Sequence, residues 1–346
     1  LPISRPTKGF SRAMALQVLK KMMFFSPSQS EPRGMNFNGP KECAAKAEAA
    51  TFDGAVRLNF SALFELTKPR LSMLSVFTAA LGYLAHYPLN KDALTFWSLM
   101  LGTSLAAGGA AALNQWMERR EDARMPRTAG RPLPSRTVEP ETALGFGLGI
   151  SVAGLLVLWF GTNAWATGLT LATLVTYLAI YTPLKKYTAY ATEVGAVAGA
   201  LPPLIGWVAA AGEPTAFGWV LFGILFAWQL PHFMAIAWTY REDYRRGGFV
   251  MPSHAADGGK SSARKSLAYA ILLTLLVLAP FFAPLEQPTP GFSYLLCAVP
   301  LSLYILVASA KFLWGKDRDL AARKLFYATI IYLPILFVAL VADRYL

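Results

Sequence analysis

Residues 94–136 read LTFWSLMLGTSLAAGGAAALNQWMERREDARMPRTAGRPLPSR. The part from Leu94 to Leu113 carries no charge. As a helix rising ~1.5 Å per residue it is long enough to cross ~30 Å of hydrocarbon. The chain then enters a loop holding Arg119, Arg120, Arg124, Arg127, Arg131 and Arg136. An apolar crossing that delivers the chain into a cationic loop is the pattern of a membrane protein whose loops on one face are basic.

The pattern recurs. Candidate spans lie at 71–88, 94–113, 142–161, 164–183, 192–211, 216–240, 266–285, 292–311 and 325–342. The connections 161–163 and 212–214 are so short that spans three and four, and spans five and six, must form antiparallel hairpins. With this count, 30 of the 32 Lys and Arg residues fall on one side, and only Lys91 and Arg344 fall opposite. A different number of spans would scramble that alternation. The expectation is an all-α, polytopic membrane bundle of nine transmembrane helices with its N-terminus on the inner (cytoplasmic or matrix) side.

Composition agrees. Of 346 residues 55% are hydrophobic and 15% charged, and the mean hydropathy is +0.40, which argues against a soluble two-domain protein. The net charge of +12 could signal nucleic-acid binding. Its confinement to loops on one side makes membrane topology the better reading. Cys43 and Cys297 are too few and too far apart for a disulfide framework or zinc site and read as free thiols. Residues 1–60 are rich in Pro, Ser and Lys, and no acid precedes Glu31. They read as a basic, disordered N-terminal region, with a transit peptide as the other reading, and 61–346 as the transmembrane domain.

Candidate chemistry collects on the basic side. Asn114, Glu118 and Asp122 follow at four-residue spacing and share one helical face. Converging oxygens suit a hard divalent cation such as Mg2+, which in turn suits a diphosphate. The loop after span six begins YREDYRRGGF, with Arg241 and Asp243, and Lys185 follows Tyr181 in the loop between spans four and five. Acids from two loops could hold the ion between them. Arg127, Arg131, Arg241 and Lys185 could neutralise the anion. Against this stands the plainer reading of solvated loop charges that only enforce topology. His232, in AWQLPHFMAIAWTY, lies roughly 12 Å inside the inner end of its span, after Pro231 and near Gln229. A polar cluster at that depth is either functional or an interhelical hydrogen bond. Nearby Phe222, Phe226, Trp228, Phe233, Trp238 and Tyr240 could stabilise a carbocation or simply face lipid. Span five holds Gly195, Gly199, Gly206 and Pro202–Pro203 and is expected to break at the prolines.

The stretch from Asn114 to Pro132 resembles the first motif of the UbiA-type intramembrane prenyltransferases. WQLPHF at 228–233, Asp243–Tyr244, Met251–Pro252, TKPR at 67–70 and LPPLIGW at 201–207 are similar to the haem-modifying branch of that family, the protohaem IX farnesyltransferases or haem O synthases. The resemblance covers about residues 60–345. It implies a nine-helix bundle that transfers a prenyl group from a diphosphate with Mg2+, here from farnesyl diphosphate to haem b, giving haem O for terminal oxidases. It assigns Asn114, Glu118 and Asp122 to Mg2+–diphosphate and Asp243 to the second motif. It makes Arg127, Arg131 and Lys185 the anion clamp and turns His232 towards the haem. Two departures stand out: Glu118 where many members have Asp, and a second motif with one well-placed acid, leaving Glu242 undecided.

The implied chemistry is ionisation of the prenyl diphosphate, attack of a haem vinyl on its C1, and capture of the resulting cation by water. A downstream haem-modifying enzyme or oxidase assembly factors are the implied protein partners. The bacterial plasma (inner) membrane is the first expected location and the mitochondrial inner membrane the second. Rival readings are a relative that prenylates an aromatic or quinone precursor and, from another class, a transporter, suggested by the broken fifth helix and midplane polar groups.

Overall fold

The computed structural model of the chain describes residues 59–89, 92–283, 285 and 289–346. The expectations for 1–58, including Cys43, and for Lys91 lie outside the described residues.

The described chain is all helical. A short α1 (Phe60–Leu66) precedes α2 (Pro69–Leu84) and the long α3 (Ala93–Asp122). Next come α4 (Pro140–Gly161) and α5 (Ala164–Val175). A π-helical turn (Thr176–Tyr181) and a last helical turn, α6 (Thr182–Leu184), continue α5. Then follow α7 (Ala191–Ala211), α8 (Ala216–Thr239) and the short α9 (Arg241–Gly247). The chain finishes with α10 (Lys260–Phe282), α11 (Phe292–Trp314) and α12 (Arg318–Asp343). Among the described residues, eight helical runs are long and apolar enough to cross a membrane: α3, α4, Ala164–Leu184, α7, α8, α10, α11 and α12. α2, at 16 residues, is shorter.

Several helices outrun the apolar stretches that signal them. α3 continues to Asp122, so the oxygen triplet lies on the helix that crosses the membrane, with Asn114, Gln115, Glu118 and Asp122 all buried. α10 and α12 likewise begin six or seven residues earlier, at Lys260 and Arg318. Local caps fix several ends. Asp92 accepts from Leu94 N (3.0 Å) and the Thr95 hydroxyl (2.6 Å), Asn163 from Ala166 N (2.9 Å), and Asp317 from Leu320 N (2.9 Å).

Sequential helices pack as neighbours, and two longer-range pairings, α2 with α7 and α8 with α12, tie the bundle together. α7 and α8 form its centre, and α7 is buried almost throughout from Ala196 to Ala209. The expected break in span five does not occur: Pro202 and Pro203 lie inside a continuous helix. Close packing surrounds the prolines. At Gly206 a Cβ would lie 1.8 Å from the Ala79 carbonyl oxygen, and at Gly82 a Cβ would lie 2.0 Å from the Pro203 carbonyl oxygen. α2 and α7 thus meet backbone to backbone, the contact by which small residues hold helices together in lipid. The intact helix removes one of the two features, the other being the midplane polar groups, that had suggested a transporter.

Candidate active site

The charged ends of α2, α3 and α6 meet the loop after α3 and the short α9. Lys68, the residue before α2, sits in the left-handed region (φ 46°, ψ 58°). That conformation costs a non-glycine residue about 1–2 kcal/mol. Its amine donates to the Asn114 side-chain oxygen at 3.2 Å. The Asn114 amide nitrogen in turn donates to the Thr182 hydroxyl (3.2 Å), and that hydroxyl donates to the Tyr177 carbonyl (2.8 Å) within the π turn. One turn along α3, Glu118 is ion-paired with Lys185. After a further turn, Asp122, only 1% exposed, pairs with Arg131 at 2.6 Å. Each oxygen of the triplet therefore faces its own cation.

The second loop closes on the first. Arg127 Nε lies 4.0 Å from Asp243 Oδ2, and its guanidinium lies over the rings of Tyr240 (5.2 Å) and Tyr244 (5.9 Å). Lys185 lies over the Tyr181 ring (4.6 Å) and the Phe249 ring (5.3 Å), and its carbonyl accepts from Val250 N at 2.8 Å. Gly247 of α9 packs against Met125. The structure thus brings Asn114, Glu118, Asp122, Arg127, Arg131, Lys185 and Asp243 to one end of the bundle. Arg241 starts the same short helix as Asp243, but its side chain leaves this cluster. The Arg241 guanidinium stacks over Trp238 (4.5 Å) and pairs with Asp319 of α12 at 3.3 Å, so the structure does not gather it with the other residues expected to meet the anion. Glu242 pairs with Arg245 at the surface.

The two lysines are tuned oppositely. Desolvation at this depth, with Arg131 nearby, pulls the Lys68 amine down to about 7. Burial alone would also lower Lys185, but Tyr181 and Glu118 carry it well above the ordinary lysine value.

Among the described residues no group of three His, Cys, Asp or Glu side chains forms a ready metal cage. The donor set still fits a hard cation brought in with an anion. Asn114, Glu118, Asp122 and Asp243 offer only oxygen, the ligand type Mg2+ prefers. Three carboxylates face three charged side chains, Lys185, Arg131 and Arg127, and the Lys68 amine adds up to one further positive charge when an arriving anion draws a proton onto it. A Mg2+–diphosphate pair carries about one net negative charge. It would balance the cluster if the carboxylates turned to the metal and the cations to the phosphate oxygens.

Behind the cluster lies a cavity of about 390 Å³. It runs from Lys68 and Tyr181 past Ala110 and Leu174 to Trp228, His232 and Phe233. The π turn at its edge sets the Tyr177 and Tyr181 rings 5.4 Å apart. Gln229 belongs to the packing. Its amide donates to the Ala196 carbonyl at 2.8 Å, and its oxygen fills the space a Cβ on Gly199 would need. His232 lines the cavity, with Nδ1 2.8 Å from the Thr329 hydroxyl of α12. Cys297 is a free thiol away from the site.

Lys68, Thr182 and Thr329 did not emerge from the sequence as site residues. Lys68 lay in the TKPR stretch and is the cation that adjoins α2, a signal that could have found it. The two threonines carry no such signal, because most helical threonines bond their own backbone.

Fold and cluster define a class: an all-helical, multi-pass integral membrane protein with a charged mouth opening on a largely apolar chamber. The sequence profile of the UbiA prenyltransferase family matches residues 75–331, and the chain belongs to that family. A relative from Opitutus terrae, named protoheme IX farnesyltransferase, is 47% identical, the match covering 84% of this chain and 97% of the relative. A solved digeranylgeranylglyceryl phosphate synthase superposes with a TM-score of 0.70 at 17% identity, covering 82% of this chain and 98% of the other. A UbiA homologue from Archaeoglobus fulgidus, bound to DMAPP and Mg2+, gives 0.55 at 12% identity, covering 80% and 98%.

Proposed function

We propose that this chain transfers the farnesyl group of farnesyl diphosphate to a vinyl group of haem b, with hydration, to give haem O. The observation that carries the reading is a cavity that runs from Lys68 and Tyr181, beside the charged cluster, to His232. The name and near-full-length match of the Opitutus terrae relative support the choice of substrates. The Mg2+ and prenyl diphosphate of the Archaeoglobus fulgidus homologue support the choice of metal.

In this reading Asn114, Glu118, Asp122 and Asp243 hold Mg2+. When bound, the ion neutralises charge that builds on the leaving diphosphate. Lys68, Lys185, Arg127 and Arg131 bind the diphosphate oxygens and orient the C–O bond towards the chamber. The diphosphate leaves with that bond's electron pair. The vinyl terminal carbon then bonds to farnesyl C1, and water adds at the inner vinyl carbon with loss of one proton. The apolar wall of Ala110, Leu174 and Ile205 lodges the prenyl chain and keeps water from it until the new bond exists.

α2 serves as a ninth crossing, which puts every cationic loop and the N-terminus on the inner side. The prenyltransferase domain in this reading is 61–346.

Incubating the purified chain with Mg2+, farnesyl diphosphate and haem b yields haem carrying one added farnesyl and one hydroxyl group by mass spectrometry. EDTA removes at least about 10²-fold of the rate, the scale of losing one strong transition-state stabiliser, and Mg2+ restores it. Transfer to an aromatic acid with none to haem would reject the haem assignment. A rate unchanged by EDTA would reject the metal.

A further inference from the structure

The imidazole of His232 has two nitrogens, and only the unprotonated one can ligate a metal or take a proton. Its Nδ1 lies 2.8 Å from Thr329 Oγ1. That same hydroxyl lies 2.6 Å from the carbonyl oxygen of Phe326, three residues earlier on α12. A carbonyl only accepts, and a hydroxyl has one proton to give. The Thr329 proton is therefore committed to Phe326, and Oγ1 faces His232 as an acceptor. Nδ1 must supply the proton of the shared bond, which leaves the lone pair on Nε2.

The surroundings hold this arrangement in place. Thr329 is fully buried. Its carbonyl accepts from the Trp228 indole N–H at 2.8 Å. The Trp228 ring stacks with the imidazole at 5.4 Å and 16°, and Phe326 stacks with it at 5.0 Å and 23°. A residue that takes the histidine proton from behind, while aromatic rings fix the ring plane, is the usual companion of a metal-ligating histidine.

We infer that Thr329 is a positioning residue: it holds His232 as the Nδ1–H tautomer and presents the Nε2 lone pair to the cavity as a ligand for haem iron. The tautomer stands on the hydrogen bonds alone, and the iron rests on the function proposed above.

The full chain in nanodiscs, labelled with 15N-histidine, tests the first half without haem. His86 and His254 are the other histidines, and the His232 signals are assigned by their loss in His232→Gln. The wild type and Thr329→Ser should show protonated Nδ1 and unprotonated Nε2. Thr329→Val, which keeps the shape but removes the acceptor, should move protonation to Nε2. A Thr329→Val spectrum identical to the wild type overturns the inference.

Titration with haem b tests the second half. The wild type should give a Soret shift that His232→Ala loses. Thr329→Val should weaken haem binding about 10–100-fold, and Thr329→Ser should restore it. Matching Soret spectra for wild type and His232→Ala would overturn the iron assignment and leave the tautomer to be decided by the nitrogen signals. Should the valine chain not elute as a folded species, Thr329→Ala offers the same loss of acceptor with less bulk.

Discussion

Asp122→Ala abolishes turnover, by about 10³-fold or more, while the chain still inserts and elutes as a folded species. The carboxylate is almost wholly buried, holds Arg131 at 2.6 Å, and its backbone oxygen accepts from the Thr128 hydroxyl at 2.8 Å. Losing it takes one oxygen from the proposed metal set and adds a further positive charge to the mouth. Removing one partner of a buried pair costs about 3–5 kcal/mol, but Arg131 remains about a quarter exposed and can reach water, so the fold survives. Asp122→Asn keeps the shape and should fail almost as badly, which separates charge from packing. The haem assay and gel filtration together check the result. Full activity in Asp122→Ala would remove the metal-site proposal.

The second large effect is on folding. Gly206→Ala places a methyl 1.8 Å from the Ala79 carbonyl oxygen, a backbone atom that no rotamer change can move. α2 and α7 must separate, and overpacking of this kind costs about 3 kcal/mol or more. Thermal unfolding in detergent should show a markedly lowered midpoint and a reduced yield. Gly149→Ala on α4 is the control: a Cβ there meets nothing within 4 Å, so its midpoint should hold or rise slightly. Equal midpoints for the two variants would show that α2 and α7 are not in backbone contact.

The sequence reveals the architecture because lipid leaves the backbone few choices. Apolar runs of the right length must be helices, and the cationic loops between them fix the count. What it misreads is local. Pro202 and Pro203 looked like a break, but the lost hydrogen bonds are tolerated inside a helix whose residues 200–209 are all buried. The oxygen face of α3 was legible from four-residue spacing, and the cations of the same loop from their closeness in sequence. Arg241 was not, since adjacency to Asp243 says nothing about which side of a short helix a guanidinium leaves from, and Trp238 and Asp319 draw it away. Lys68 needed the left-handed turn at its own backbone to reach Asn114. Thr329 needed a contact with a helix far along the chain, which no local pattern encodes.

The helix that carries Thr329, Phe326 and Asp319 is α12, the last to leave the ribosome among those described. The lysine–arginine mouth is made by α2, α3, α6 and α9, all translated earlier. The cavity itself is lined by α2, α3, α5, the π turn, α7 and α8, so during synthesis mouth and chamber can take shape first, while the Nδ1 side of His232 waits for Thr329 until α12 inserts. A chain arrested after α11 would be expected to keep this cavity but to leave the His232 ring without its hydrogen-bond partner. On the function proposed above, the chamber thus comes into being before the ring that would face the porphyrin is fixed.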